Sequence, residues 1–184
     1  MRKTCIFIAV LMIMSTSCLG LARPHGMGDA FTAVADDLNS VRYNPAGLAF
    51  QNGTQLLYDY PCFPLEDQIS IYSLSYGGKA GNGFVAFTID GLDAYDDIFT
   101  IHNHTYTLTY ALKLYENISL GINLNSITGY MQSSLPLPTD EYRTDGSSAD
   151  IGLFAKLNEH FSFGIMQNAY CSRNLLYPIT MATG

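Results

Sequence analysis

The chain has 184 residues and a formal net charge of −7, which leaves no basic stripe to release counterions from a nucleic-acid backbone. Charged residues make up 14%, against roughly 25% in typical soluble domains, while Tyr and Phe are abundant and Trp is absent. The length allows one domain with a real core, and the composition suits a lipid-facing surface better than a watery one.

At the N-terminus, Arg2 and Lys3 form a basic start, "CIFIAVLMIM" an apolar stretch, and "STSCLGLA" the small residues of a cleavage site after Ala22. This pattern predicts a signal peptide over residues 1–22 and an exported protein. The apolar stretch is too short for a transmembrane helix, and no later run approaches about 18 apolar residues. Lipoprotein processing at Cys18 stays open, although "MSTSC" lacks the Leu expected upstream. The mature chain then keeps Cys62 and Cys171, whose distance in sequence does not by itself establish a bridge.

Residues 26–50, "GMGDAFTAVADDLNSVRYNPAGLAF", are rich in small side chains and do not alternate as a strand would. Asp29 is expected to cap a short helix holding Ala30, Phe31, Ala33, Val34 and Ala35, with Asn39 and Ser40 ending it. Pro45 holds its own φ and pushes Asn44 toward an extended conformation, and Gly47 permits a tight turn into the strand region.

From about residue 53 the rhythm changes to period two. "TYTLTYALK" sets Tyr106, Leu108, Tyr110 and Leu112 against Thr105, Thr107, Thr109 and Ala111. "ISLGINLN" sets Ile118, Leu120, Ile122 and Leu124 against Ser119, Gly121, Asn123 and Asn125, and "ADIGLFAKL" and "FSFGIMQN" repeat the arrangement. With "TQLLYDY", "QISIYSLSY" and "GFVAFTID" this predicts about seven strands.

Alternation alone does not say which face is inside. Two observations favour a transmembrane barrel over a soluble one. The polar faces are Thr, Ser, Gly and Asn with few charges. The connections also alternate, with "GGKAGN", "LYEN" and "LNEH" short, and "GLDAYDDIFTIHN" and "MQSSLPLPTDEYRTDGSS" long and polar. Short turns on one side and long loops on the other are the habit of outer-membrane barrels, with the short turns periplasmic. Tyr58, Tyr60, Tyr76, Tyr106 and Tyr130 are then candidates for an interfacial girdle.

The opening "GMGDAFTAVADDLNSVRYNPAGLA" after a signal peptide resembles the N-terminal signature of the FadL-like outer-membrane proteins, which include long-chain fatty acid transporters and PorV-like relatives. "SLGINLNSI" and "ADIGLFAKLNEHFSFGI" are similar to paired strands of the same group. The resemblance implies an all-β, antiparallel transmembrane β-barrel of about fourteen strands, of which residues 53–184 supply about seven. Residues 23–52 would be a helical hatch packed inside it.

The implied function is passage of hydrophobic molecules, long-chain fatty acids above all, across the bacterial outer membrane without cofactor or covalent chemistry. The hatch would centre on Asn44, Pro45, Ala46 and Gly47, with Phe31 and Phe50 as apolar contacts. It would act either as a moving gate or as a static seal. No residue is assigned as the carboxylate partner: Arg42 and Lys79 are available cations, and each reads equally as a solvated surface charge. The alternatives are a PorV-like shuttle or surface scaffold that meets protein partners through its long loops, and a truncated piece without function of its own. The chain stops at "YPITMATG" without an aromatic-ended strand, so a fragment or interrupted frame, completion by a second chain, or a different fold are the expectations.

No "HExxH", "GxSxG" or "GxxxxGK[ST]" occurs, and the chain is not expected to be an enzyme. "YGGKAGNGF" reads as a turn between strands rather than a phosphate cradle. His102 and His104 share a strand face without a third ligand nearby in sequence, and Asp90, Asp93, Asp96 and Asp97 read as a solvated acidic loop.

Overall fold

The structure, a computed structural model, describes residues 22–60, 69–96, 99–133, 141–171 and 177–178. The expected signal peptide, apart from Ala22, lies outside these residues, as do Cys62 and Asp97.

The described chain opens with two short helices, α1 (Ala22–Gly26) and α2 (Ser40–Tyr43), and a 3₁₀ helix over Pro45–Phe50. Among the described residues the regular structure after them is all strand: β1 (Thr54–Asp59), β2 (Ile69–Ala80), β3 (Gly83–Tyr95), β4 (Phe99–Lys113), β5 (Ile118–Ser133), β6 (Glu141–Lys156), β7 (Ser162–Cys171) and β8 (Tyr177–Pro178). The sheet is all antiparallel and runs in sequence order from β1 to β7. β8 pairs with β6 at Tyr142 and Arg143, residues whose other edge is taken by β5, so it extends the edge that β7 occupies. Among the described residues β1 and β7 do not pair, and the sheet is open. No helix of the described residues is long and apolar enough to cross a membrane.

The connections differ from the sequence expectation on one side only. Gly81–Asn82, residues 114–117 and residues 157–161 are short, as expected. The stretch read as the loop "GLDAYDDIFTIHN" is instead mostly ladder, with β3 reaching Tyr95 and β4 starting at Phe99. Likewise β5 runs to Ser133 and β6 starts at Glu141, leaving only part of "MQSSLPLPTDEYRTDGSS" outside strands. The physical reason is cross-strand pairing of polar residues, which propensity undervalues. Asp93 sits opposite His102, with His102 Nδ1 and Asp93 Oδ1 2.6 Å apart. His104 Nε2 meets Tyr72 OH at 2.8 Å.

The two faces of this sheet have opposite chemistry. One face is bare: Leu56, Tyr76, Phe87, Leu108 and Leu124 form a continuous row across β1–β5, and Val85, Tyr110, Ile122 and Ile151 form the next. Leu56 is 70% exposed, and Leu124 and Ile151 are each 54% exposed. The opposite face is buried although it carries Ser73, Ser75, Thr88, Thr109, Ser119, Asn123 and Asp150. Several of its hydroxyls and amides satisfy one another, as burial of polar groups requires, while Asn103 Oδ1 and Asp59 Oδ2 are buried without a partner among the described residues. Ser75 Oγ bonds Thr88 Oγ1 at 2.8 Å, and Thr109 Oγ1 donates to Asn123 Oδ1 at 2.8 Å. Asn123 and Asn125 both donate to Asp150 Oδ2, at 3.2 and 2.8 Å.

The N-terminal segment covers that polar face, and the small apolar core lies between the two. Leu38, Val41 and Leu48 pack on Phe84, Ala86 and Ala111, while Ala35, Ala46 and Phe50 pack on Phe154. Phe84 is fully buried at the centre of the first cluster. Phe84→Ala should therefore cost about 3–5 kcal/mol, read as a lower denaturant midpoint and earlier protease cleavage within residues 22–52. Unchanged unfolding would mean that the cover does not depend on this cluster.

Candidate functional site

The residues with the most specific surroundings are those of the "NPAG" stretch, where the cover meets the wall. Asn44 precedes a proline and is extended, with φ −169° and ψ 97°. Its side chain is fully buried and uses both amide hydrogens and the carbonyl oxygen. Nδ2 donates to Thr32 O and to Leu153 O of β6, both at 3.0 Å, and Oδ1 accepts from Ala46 N at 3.2 Å. One amide thus joins the start of the cover, its end, and the sheet.

Glycines in the wall make room for this contact. A Cβ at Gly152 would lie 2.2 Å from Asn44 Oδ1, one at Gly164 2.2 Å from Thr32 O, and one at Gly121 2.3 Å from Ala46 N. No real side chain tolerates such distances, so β5, β6 and β7 each present bare backbone where the cover passes. Two serines complete the docking: Ser119 Oγ donates to Ala46 O at 2.6 Å, and Ser162 Oγ donates to Ala33 O. Asn123 Nδ2 donates to Val41 O at 2.7 Å.

Sequence reasoning did not single out these wall residues, yet a signal for them exists. "KLYENISLGI" (113–122) and "KLNEHFSFGI" (156–165) are one motif used twice. Each copy supplies a Ser that bonds a cover carbonyl and, two residues on, a Gly over which the cover backbone runs.

The expected hatch residues do gather at this contact. Asn44, Pro45, Ala46 and Gly47 are buried together on the wall, with Pro45 opening the 3₁₀ helix. Phe31 is fully buried and meets the Tyr43 ring edge-on at 5.5 Å, and Phe50 meets Phe154 at 5.7 Å. Gly47 is not the turn into the strands. It is tight because a Cβ would lie 2.1 Å from Ala35 O, and the turn falls at Gly53, where φ is +74°.

The helix expected over residues 30–35 is absent, and these residues form turns. Asp29 and Ala35 have φ of +63° and +38°, which a right-handed helix excludes. The carbonyls of Thr32 and Ala33 serve Asn44 and Ser162 instead. Asn39 and Ser40 do not end a helix either, since Ser40 begins α2.

Charges brace the cover. Arg23 Nη2 donates to Asp36 Oδ2 at 2.8 Å and Nη1 to Asp37 Oδ2 at 2.6 Å, and these two bonds, Asp36 first, hold its guanidinium well above the usual range. Arg42 donates to Asp90 of β3 and Ser73 of β2, so it is not the available cation that the sequence suggested. Lys79 is exposed and remains one. The tyrosine hydroxyl of Tyr43, and then His25, hold Asp29 below the ordinary carboxylate range.

The acidic stretch does not act as a unit: Asp90 faces the cover while Asp93 points to the bare side, toward His102 and His104. Among the described residues no group of three or more His, Cys, Asp or Glu is arranged to hold a metal ion. Comparison with protein-family models, with curated proteins and with solved structures finds no match to this chain.

Asn44→Ala should loosen the cover by about 1–3 kcal/mol, because Thr32 O, Leu153 O and Ala46 N lose partners while buried. Gly121→Val should do so by collision, and faster amide exchange in residues 32–47 would report both. Exchange unchanged in both variants would remove the docking role assigned to these residues. Asp29 adds a pH dependence. Its lowered pKa contributes stability that is present above the ordinary aspartate pKa and lost as pH falls through the lowered value. Tyr43→Phe should raise the Asp29 pKa in a carboxyl NMR titration, and an unmoved titration would contradict the assigned bond.

Proposed function

We propose that this chain forms the wall and plug of an outer-membrane β-barrel, a FadL-like channel that lets hydrophobic molecules, long-chain fatty acids above all, cross the bacterial outer membrane. The observation that carries the reading is the inverted polarity of the sheet. In water, the fold would keep leucines wet and bury asparagines. In a bilayer the same fold puts hydrocarbon against hydrocarbon and leaves the polar face for the interior.

The dimensions of the bare face support this. On β5 the apolar run Ile118–Leu124 covers seven residues, about 20 Å of strand, and β4 matches it with Tyr106–Leu112. With interfacial tyrosines added, that approaches the roughly 25 Å apolar band of such barrels. No bare-face residue within the band is charged: on β6 it reads Ala149, Ile151, Leu153 and Ala155. Beyond the band, away from the short turns, the same faces become polar through Ser126 and Thr128, His104 and His102, and Asp145 and Arg143. Tyr58 and Tyr106 occupy the row where the change happens.

In this reading the short turns face the periplasm and the N-terminal cover is the plug. The density of bonds at Asn44, Ser119, Ser162 and Asn123 favours a plug that seals in the resting state. The polar extension of β3–β6 above the band favours a second reading, a PorV-like scaffold that presents this surface to a protein partner. Lipid retained on purification supports the channel; a partner protein without retained lipid supports the scaffold.

The mature chain should fractionate with outer membranes. Ile122→Arg at mid-band should weaken insertion by about 2–4 kcal/mol, and Thr128→Arg by no more than about 1 kcal/mol. Equal effects, or recovery of the wild type as soluble periplasmic protein, would defeat the membrane reading. For transport, cells lacking their own importer should take up palmitate when the chain is present in an intact barrel, and Gly121→Val should change the rate.

A further inference from the structure

The chain is acidic, yet its lysines are gathered at one end of the sheet. After Lys3 there are three, Lys79, Lys113 and Lys156, and each is the last or next-to-last residue of a strand entering a short turn. Each also comes two residues after a buried residue of the plug side, namely Gly77, Ala111 and Phe154, so strand periodicity puts all three on the interior face. Of the strand carboxylates on the interior face, Asp59 and Asp90 lie toward the opposite end and Asp150 lies at mid-strand. The interior face therefore becomes more positive toward the short turns, opposite to the sign of the whole protein.

Two of these lysines share a cavity. An open hollow of about 400 Å³ lies between the exit of the N-terminal segment and the turns after β2 and β4. Lys79, Lys113, Gln51, Asn82 and Tyr115 contribute to its lining, and Glu116 is its one carboxylate. Neither lysine forms an ion pair among the described residues. Lys113 Nζ lies instead 4.7 Å from the centre of the Phe50 ring, and Phe50 packs on Phe154. Lys113 thus meets an aromatic face rather than a carboxylate, so its ammonium hydrogens are not spent on an ion pair among the described residues.

We infer that this hollow binds the anionic head of an amphiphile, its carboxylate or phosphate oxygens held by Lys79 and Lys113 and its first methylenes set against Ala49 and Leu114. The inference rests on the channel reading above and deepens it, since it gives the interior a polar terminus at the short-turn end where an anionic solute is retained before release. Lysine suits the task because its ammonium is a compact charge on a flexible stem that does not demand one bidentate geometry. Gln51 and Asn82 also line the hollow, and their amides bring donors for any oxygen the lysines leave unmet. No covalent step is involved.

The test uses the full mature chain in nonionic micelles with palmitate and, as the uncharged partner of the same tail, hexadecanol. Wild type should bind palmitate about tenfold or more tightly than hexadecanol, the amount that charge-assisted bonds provide. The preference should fall at high salt, vanish in Lys79→Gln/Lys113→Gln, and persist in Lys79→Arg/Lys113→Arg. Lysophosphatidate that displaces palmitate assigns a phosphate-headed lipid, and failure to displace it assigns the free carboxylate. No preference in wild type, or a preference kept by the Gln pair, overturns the inference. The wild-type comparison stands even where a variant fails to fold. Palmitate uptake without the binding preference sinks the hollow and leaves the channel. A preference in a chain that never reaches the outer membrane sinks the channel and leaves the hollow.

Discussion

The structure depends on the contact between the backbone of an irregular segment and a polar sheet face. Irregular chain carries unpaired N–H and C=O groups, and a buried face of Ser, Thr and Asn carries unpaired side-chain groups. Either alone is costly to bury; together they satisfy each other. Asn44 is the point where this matters most, because its one side chain closes three backbone positions, one of them in β6. Apolar packing around Phe84 and Phe154 adds stability, but it could not by itself select this arrangement over others of equal burial. The glycines at 121, 152 and 164 are the complement of that selection, since each removes the atom that would hold the cover off the wall.

Much of this was legible in the sequence, and the reasons differ by element. The seven strands come from period two, which survives because every side chain of a strand must choose one of two faces. The odd chemistry of those faces was also legible, since few charges on the polar positions of "ISLGINLN" is unlike a water-washed sheet. The length of β3–β6 was not. Asp, His and Asn in "DAYDDIFTIHN" look like loop residues by propensity, and only cross-strand partners such as Asp93 and His102 carry the strands into it. The helix expected at residues 30–35 failed for a related reason. Alanine favours a helix in isolation, but here carbonyls at 32 and 33 are worth more to Asn44 and Ser162 than to a helical turn.

The docking residues of the wall were hidden in a different way. Ser119, Gly121, Ser162 and Gly164 look like ordinary small positions in alternating strands, and nothing local marks them as contacts. What marks them is recurrence: the same ten-residue pattern enters β5 and β7 and meets the cover twice, at Ala46 and at Ala33. Arg42 is not free, but its partner is invisible in the local sequence. Asp90 is 48 positions away and belongs to another element.

In the proposed barrel, strand direction constrains how the open sheet could be completed. β1 and β7 are the first and last strands of an antiparallel meander of seven, so they run the same way. A second copy of this sheet inserted the same way up would bring β7 of one beside β1 of the other in parallel, out of keeping with the all-antiparallel pairing that closed membrane barrels use. An inverted copy restores antiparallel pairing but carries its short turns, and with them its lysines, to the other side of the membrane. Closure by antiparallel pairing therefore calls for strands that are not a repeat of this sheet, odd in number, beginning and ending against the direction of β1. The same constraint bears on the N-terminal cover: its hydrogen bonds run to β2, β3, β5, β6 and β7 within one continuous wall, and they do not wait on closure.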